Sequence, residues 1–265
     1  MFFSELRVMY ELIKFNFLSA AELRLSFITQ TIGMVLNDFV FVLIWFFFLH
    51  MFGTINGWRS VDVIGLQCIS GITYGIVFTF FAGAAELPHS ITTGQFDSLL
   101  LSPRSVYFRI LTLSMRTSAF GDLIFGAILF PIFILGAHLT LLQILFFVFL
   151  MIPATIILVN FLLIASCITF FISSGVELGS SIFEVMFAPS MYPSGVFQGA
   201  TRVIFLFVLP SLAIAGLPVE AVKEVSIVKI GIISFLAVVW TVLAVVVLRL
   251  GMKHYESGNL TGARI

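Results

Sequence analysis

Charge is scarce in this sequence. Asp, Glu, Lys and Arg make up 10% of its 265 residues, against roughly 25% in ordinary soluble domains. With 60% hydrophobic residues and a mean hydropathy of +1.18, a water-soluble fold is excluded. Thirteen basic and thirteen acidic residues cancel, and no dense run of Lys or Arg occurs, which sets nucleic acid aside as a partner. Cysteine is nearly absent. Cys68 and Cys167 sit inside apolar segments, where a buried thiol is the ordinary state and neither a disulfide framework nor a metal site is indicated. Catalytic signatures are missing too: there is no H-E-x-x-H, no G-x-S-x-G and no aspartate cluster of the spacing that metal-dependent head-group transferases use. His50, His89, His138 and His254 are scattered near span ends. A membrane enzyme therefore finds no constellation here. A cleavable leader is not expected, because Glu5, Arg7, Glu11 and Lys14 interrupt any early apolar run.

What the chain has in abundance is apolar length. A spanning helix needs about 20 mostly apolar residues, and six stretches are expected to supply it: Leu25 to Leu49, Val61 to Ala85, Tyr107 to Gly136, Leu141 to Ile172, Gly179 to Tyr192 and Ile230 to Leu248. The 32 Phe suit lipid-facing surfaces and helix packing. The fold class is all-α, a polytopic membrane protein of about six transmembrane helices forming one transmembrane domain over 1–265. With both termini cytoplasmic, the inner segments hold Arg7, Lys14, Arg24, Arg104, Arg109, Arg249, Lys253 and Arg264, and the outer loops hold Arg59, Arg202, Lys223 and Lys229. That asymmetry obeys the positive-inside rule.

Four regions lie outside the simple spans. In 1–24, Leu6, Met9, Tyr10, Ile13 and Phe17 recur at helical spacing, which reads as an interfacial helix or as an extension of the first span. In 86–106, Thr92 and Gln95 fit a capping box, Phe96, Leu99 and Leu100 form an apolar stripe, and Pro103 ends the helix. Such a stripe docks a soluble partner or packs on the bundle's own cytoplasmic ends. In 193–227, the apolar run Val203 to Leu217 is too short to span and has Pro210 inside it, the pattern of a re-entrant segment. The tail 249–265 is basic and cytoplasmic.

Ionisable residues inside spans are functional candidates. Asp38 lies near the centre of the first span beside Asn37, and Arg116 and Asp122 are placed in the third. Asp38 reads either as a structural hydrogen bond at a helix or subunit interface or as part of a proton relay. Pairs at GxxxG spacing, Gly71 and Gly75, Gly175 and Gly179, and Gly195 and Gly199, permit close helix approach within the bundle or at a dimer seam.

The run GQFDSLLLSP resembles the loop between the second and third spans of ABC-2 type transporter permeases. MYPSGVFQGATRVIFLFVLPSLAIAGLPVEAV, from Met191 to Val222, resembles that family's segment between the fifth and sixth spans, with a break at Tyr192 and Pro193, a half-length run and a second break at Pro210. The closing GMKHYESGN is similar to the ending of an uncharacterised bacterial branch of these permeases. The resemblance implies the membrane subunit of an ATP-driven exporter in a bacterial cytoplasmic membrane, working as a dimer with an identical or paralogous second permease. It implies cytoplasmic ATPase subunits pressing on a coupling helix, so that Phe96, Asp97, Leu99 and Leu100 are the expected coupling residues. No Gly-Lys pair occurs in the sequence, so the phosphate cradle G-x-x-x-x-G-K-[ST] is not here. ATP and Mg are accordingly expected in the partner ATPase, and no cofactor in this chain. The competing reading is an ion-coupled carrier or channel using Asp38.

Overall fold

The computed structural model describes residues 2–101, 103–172 and 175–255. Among them the chain is helical throughout, with one isolated bridge between Ile55 and Trp58 and no strand. The basic Arg264 and the last residues of GMKHYESGN, from Glu256 onward, lie outside the described residues, as does Ser102 of GQFDSLLLSP.

Helix α1 (Phe2–Glu22) is separated from α2 (Arg24–Phe52) by a bend at Leu23, so the amphipathic segment is a helix of its own rather than a continuation of the first span. It is tied to the rest through Asn16, whose amide donates to the Thr112 carbonyl at 3.0 Å, and through Phe17, which packs on Phe27 and Phe120. Exposed Tyr10, Phe15 and Leu18 suit an interface with lipid.

Five helical stretches are long and apolar enough to cross a membrane: Arg24–Phe52, Ser60–Thr92, Ala119–Gly136, Leu141–Phe170 and Ile227–His254. They contain α2, α3 (Ser60–Phe80) with α4 (Gly83–Thr92), α7 (Ala119–Gly136), α8 (Leu141–Cys167) and α13 (Ile227–His254). Between α4 and α7 lie α5 (Phe96–Leu100) and α6 (Val106–Leu111). The expected third span from Tyr107 is thus shorter than its apolar length suggested. The polar run Thr112 to Ser118 breaks it, and the Arg116 amide donates to the Phe78 carbonyl at 2.9 Å near the end of α3. Arg116 therefore lies in a connector, not inside a span. The fifth expected span, Gly179 to Tyr192, is realised as α9 (Gly175–Ser190), whose 16 residues reach about 24 Å against a hydrocarbon core of about 30 Å. Pro189 inside it and Pro193 just beyond account for the early end.

Caps set several boundaries. Thr140 and Gln143 form a reciprocal capping box at the start of α8, Ser226 caps α13 through the Lys229 amide, and the Asp62 carboxylate accepts from the Arg59 amide at 2.8 Å to start α3. The core is organised around α3, whose apolar window is 67% buried against 11% for α2. Small residues let α3, α7 and α2 come together. A Cβ on Gly126 would lie 2.9 Å from the Ile72 backbone nitrogen, and one on Gly121 would lie 2.6 Å from the Thr31 carbonyl. The spacing of Gly71 and Gly75 serves this same internal contact, facing Asp122, Leu123 and Gly126 of α7. Gly179 faces Ala165, and Gly195 faces Asn56 and Trp58. Five of these six glycines are packing surfaces within the chain, whereas a Cβ at Gly199 would meet nothing within 4 Å.

The remaining helices, α10 (Gly199–Val203), α11 (Ser211–Ile214) and α12 (Gly216–Lys223), gather at the end of the bundle opposite α5. A π turn over Ile204–Val208 extends α10, the chain breaks at Leu209 and Pro210, and α11 and α12 return buried. The segment is a short helical hairpin, in which the Ser211 hydroxyl donates back to the Phe205 carbonyl at 3.3 Å.

Candidate functional site

Three places in the bundle carry polar chemistry. The first is the knob made by α5. Thr92 does not cap it. It is the last residue of α4 and donates its hydroxyl back to the Pro88 and His89 carbonyls, while Gly94, at φ +74, turns the chain before Phe96. The capping box expected from Thr92 and Gln95 is therefore absent, because the helical pattern before Thr92 continues from α4 and a left-handed glycine intervenes. Phe96 is fully buried, edge-on to Phe170 at 5.3 Å and to Tyr255 at 4.9 Å. Asp97 accepts a hydrogen bond from the Tyr255 hydroxyl at 2.9 Å. Leu99 is 3% exposed, and its carbonyl accepts from the Arg109 guanidinium. Leu100 and Leu101 face outward, at 41% and 86% exposure. The structure thus divides the four expected coupling residues: Phe96, Asp97 and Leu99 grip the bundle, and Leu100 joins Leu101 on the free surface.

The second place is a cavity of about 290 Å³ lined by α2, α3, α7, α9 and the connector at Arg116 and Ser118. Gly121 brings α2 against α7, and this close approach sets Asp38 and Asp122 together on the wall of one cavity. Sequence spacing paired neither of these acids with a partner. Aromatic rings form much of the wall, among them Phe41, Tyr74, Phe125, Phe183 and Phe187. The Tyr74 hydroxyl is held by Ser190 at 2.9 Å, and the Gln67 amide donates to the Met191 carbonyl. Ser70 also lines the cavity, 1% exposed, and its hydroxyl has no hydrogen-bond partner among the described residues.

Arg116 stands at the edge of this cavity. Its guanidinium pairs with Glu86 at 2.8 Å and lies over the Phe78 ring at 4.8 Å. Phe78 in turn meets Phe183 edge-on at 5.7 Å. Beyond these three side chains is a second cavity of about 360 Å³ on the α5 side of the bundle, bordered by Glu86, His89 and Glu184. Arg116, Phe78 and Phe183 line both spaces and form the partition between them. Of the expected intramembrane residues, all three converge on this interior: Asp38 and Asp122 as a pair, Arg116 as the partition's charge.

The third place is the opposite end. Glu220 is gripped by Arg202 at 2.9 Å, by Lys229 at 2.8 Å and by the Ser194 hydroxyl. Burial alone would push the Glu220 carboxyl up, but these donors outweigh it and hold it below the ordinary carboxylate range. Lys223 pairs with the fully buried Asp62 at 2.7 Å. The Asn56 amide donates to the Gly195 carbonyl at 2.7 Å. Tyr192, one of the expected break residues, lies edge-on to Trp45 at 5.4 Å. Pro193 and Pro210 mark where the chain leaves α9 and where α10 gives way to α11. Sequence reading had counted these charges only for orientation. Nothing in their spacing announces that they meet. Among the described residues no group of acids, histidines and cysteines has the geometry to hold a metal ion.

A bundle of apolar helices with a divided polar interior, a knob with an exposed apolar face at one end and a pinned hairpin at the other defines a multi-pass membrane protein. The chain belongs to the ABC-2 transporter family: residues 33–259 match the family model described as ABC-2 family transporter protein. No match was found among curated proteins or among solved structures.

Proposed function

We propose that this chain is the membrane-spanning subunit of an ATP-driven exporter, in which two such subunits form the path and separate ATPase subunits supply the work. Family membership over residues 33–259 carries this reading. Its placement is a bacterial cytoplasmic membrane with α1, α5 and the chain's end on the cytoplasmic side, as the distribution of basic residues supports. The catalytic chemistry, with its ATP and Mg, belongs to the partner.

The contacts of α5 support a specific route for force. Exposed Leu100 and Leu101 receive the ATPase. Buried Phe96 bears on Phe170, in the turn that follows α8, and on Tyr255, the residue just after α13. Movement of the knob is thereby transferred to two long helices that pack on one another. Closure of the ATPase on ATP then biases the bundle between inward-open and outward-open states, through its differential affinity for the two. The second permease covers part of α2, the least buried span.

The test is capture of the ATPase from mildly solubilised membranes. Wild type brings down an ATPase, and Leu100→Asp with Leu101→Asp inserts normally but retains less than a tenth of it, on the scale expected when two apolar anchors are lost, about 1.5–3 kcal/mol each. Absence of any ATPase with the wild type overturns the reading. Asp38 and Asp122, two acids on one intramembrane cavity, support a second reading, an ion-coupled carrier. It requires transport that follows an ion gradient without ATP and is lost in Asp38→Asn.

A further inference from the structure

We propose that the inner cavity beside Asp38 and Asp122 is a binding site for a small organic cation carrying apolar or aromatic bulk. This deepens the transport reading by naming a substrate class, and rests on that reading for the purpose of the site.

The first observation is charge. Among the described residues lining the two cavities, four carboxyl groups, Asp38, Asp122, Glu86 and Glu184, meet one guanidinium, Arg116, and one imidazole, His89. Arg116 is already committed to Glu86 at 2.8 Å. The one basic side chain that lines the inner cavity is therefore paired outside it, and Asp38 and Asp122 stand together without it. The second is the wall. Phe41, Tyr74, Phe125, Phe183 and Phe187 surround the acids, and ring faces attract a cation that has left water. The third is the Ser70 hydroxyl, buried at 1% exposure, lining the cavity and unpartnered among the described residues. A buried hydroxyl without a partner is uncommon, and a polar ligand atom would satisfy it.

Size and access agree. A cavity of about 290 Å³ suits a compact ligand and excludes a polysaccharide or a whole lipid. Entry from the α5 side passes the acidic outer space and then the partition of Arg116, Phe78 and Phe183. An incoming cation can take over Arg116's place on Glu86 and its place over the Phe78 ring, so the partition exchanges like for like. An anion would meet four carboxyls and would have to break the Arg116 pair.

The probe is radiolabelled benzyltrimethylammonium, measured for equilibrium binding to the full-length chain in lipid nanodiscs. Saturable binding is expected, displaced by the unlabelled cation and not by its neutral isostere neopentylbenzene or by the anion benzyl sulfonate. Asp38→Asn with Asp122→Asn is expected to weaken binding by at least about tenfold, the scale of a desolvated charge contact, whereas Asp38→Glu retains most of it. Phe183→Leu is expected to weaken it by roughly threefold, as loss of a cation–π contact does. Equal competition by neopentylbenzene overturns the proposal on the wild-type chain, independent of how the variants fold. Absence of saturable binding overturns it too, as does unchanged affinity in a double variant that stays monodisperse. The measurement needs no ATPase. Captured ATPase without cation binding sinks the substrate class alone, and cation binding without an ATPase sinks the ATP-driven reading alone.

Discussion

Gly75 and Gly33 are both helical glycines in membrane spans, yet they stand in opposite surroundings. A Cβ at Gly75 would lie 2.8 Å from the Leu123 backbone nitrogen, whereas one at Gly33 would find nothing within 4 Å. Gly75→Ala must push α3 and α7 apart and is expected to destabilise by about 1–3 kcal/mol, the usual range for overpacking. Gly33→Ala is expected to be neutral, or stabilising by up to about 1 kcal/mol through helix propensity. Unfolding of the two variants side by side in one detergent checks both. The Gly71 and Gly75 spacing was legible as close approach, but its partner helix was not, because small residues mark contact without naming what they touch.

Glu220 makes a second prediction at this scale. Its folded-state carboxyl is held below the ordinary value of 4.5 by Lys229, Ser194 and Arg202. A depressed acid contributes stability above its unfolded value and loses it as pH falls through the folded one. Stability should therefore be insensitive to Glu220 between pH 5 and neutrality and should decline below the ordinary 4.5. Glu220→Gln should lower stability at neutral pH and flatten the acid limb, read by unfolding across that window. Glu220 was invisible as a site in the sequence, since Ser194, Arg202 and Lys229 reach it from three separate elements: the turn after α9, α10 and the start of α13.

At the scale of the element, α5 shows what pattern can and cannot reveal. The apolar stripe Phe96, Leu99 and Leu100 is real as composition, and its flanking loop has the family's order. The helix is shorter than expected because Gly94 takes a left-handed turn that Thr92 and Gln95 do not signal. Its inner and outer faces were undecidable, because the contacts that bury Phe96 come from Phe170 and Tyr255, far along the chain. Phe96→Ala is consequently expected to cost about 3–5 kcal/mol of stability and to loosen the ends of α8 and α13 together. Hydrogen exchange over both helix ends checks this, and local protection unchanged from wild type would count against the wedge. The surface pair Leu100 and Leu101 should behave in the opposite manner, losing the partner while keeping the fold.

At the scale of the whole molecule, the all-helical class followed from hydropathy alone, since lipid forces backbone groups to satisfy one another within helices. Span number was less legible. Apolar length in the third segment hides the polar break at Thr112 to Ser118, and the fifth segment ends early at its prolines. The acid pair escaped reading entirely, because Asp38 and Asp122 are brought together by α2 crossing α7 at Gly121. What emerges is a bundle with a knob at one end, a pinned hairpin at the other and a divided interior between them. Those parts suit the alternating access proposed above, in which a second subunit completes the path and an ATPase engages the knob.

Native mass spectrometry of the complex extracted in mild detergent measures that assembly directly. The expected mass contains two permease subunits, two copies of this chain or this chain with a paralogue, and two ATPase subunits, with ATP hydrolysis in the same preparation. A permease recovered alone, with no ATPase mass and no hydrolysis while the fold is intact, would contradict the ATP-driven reading.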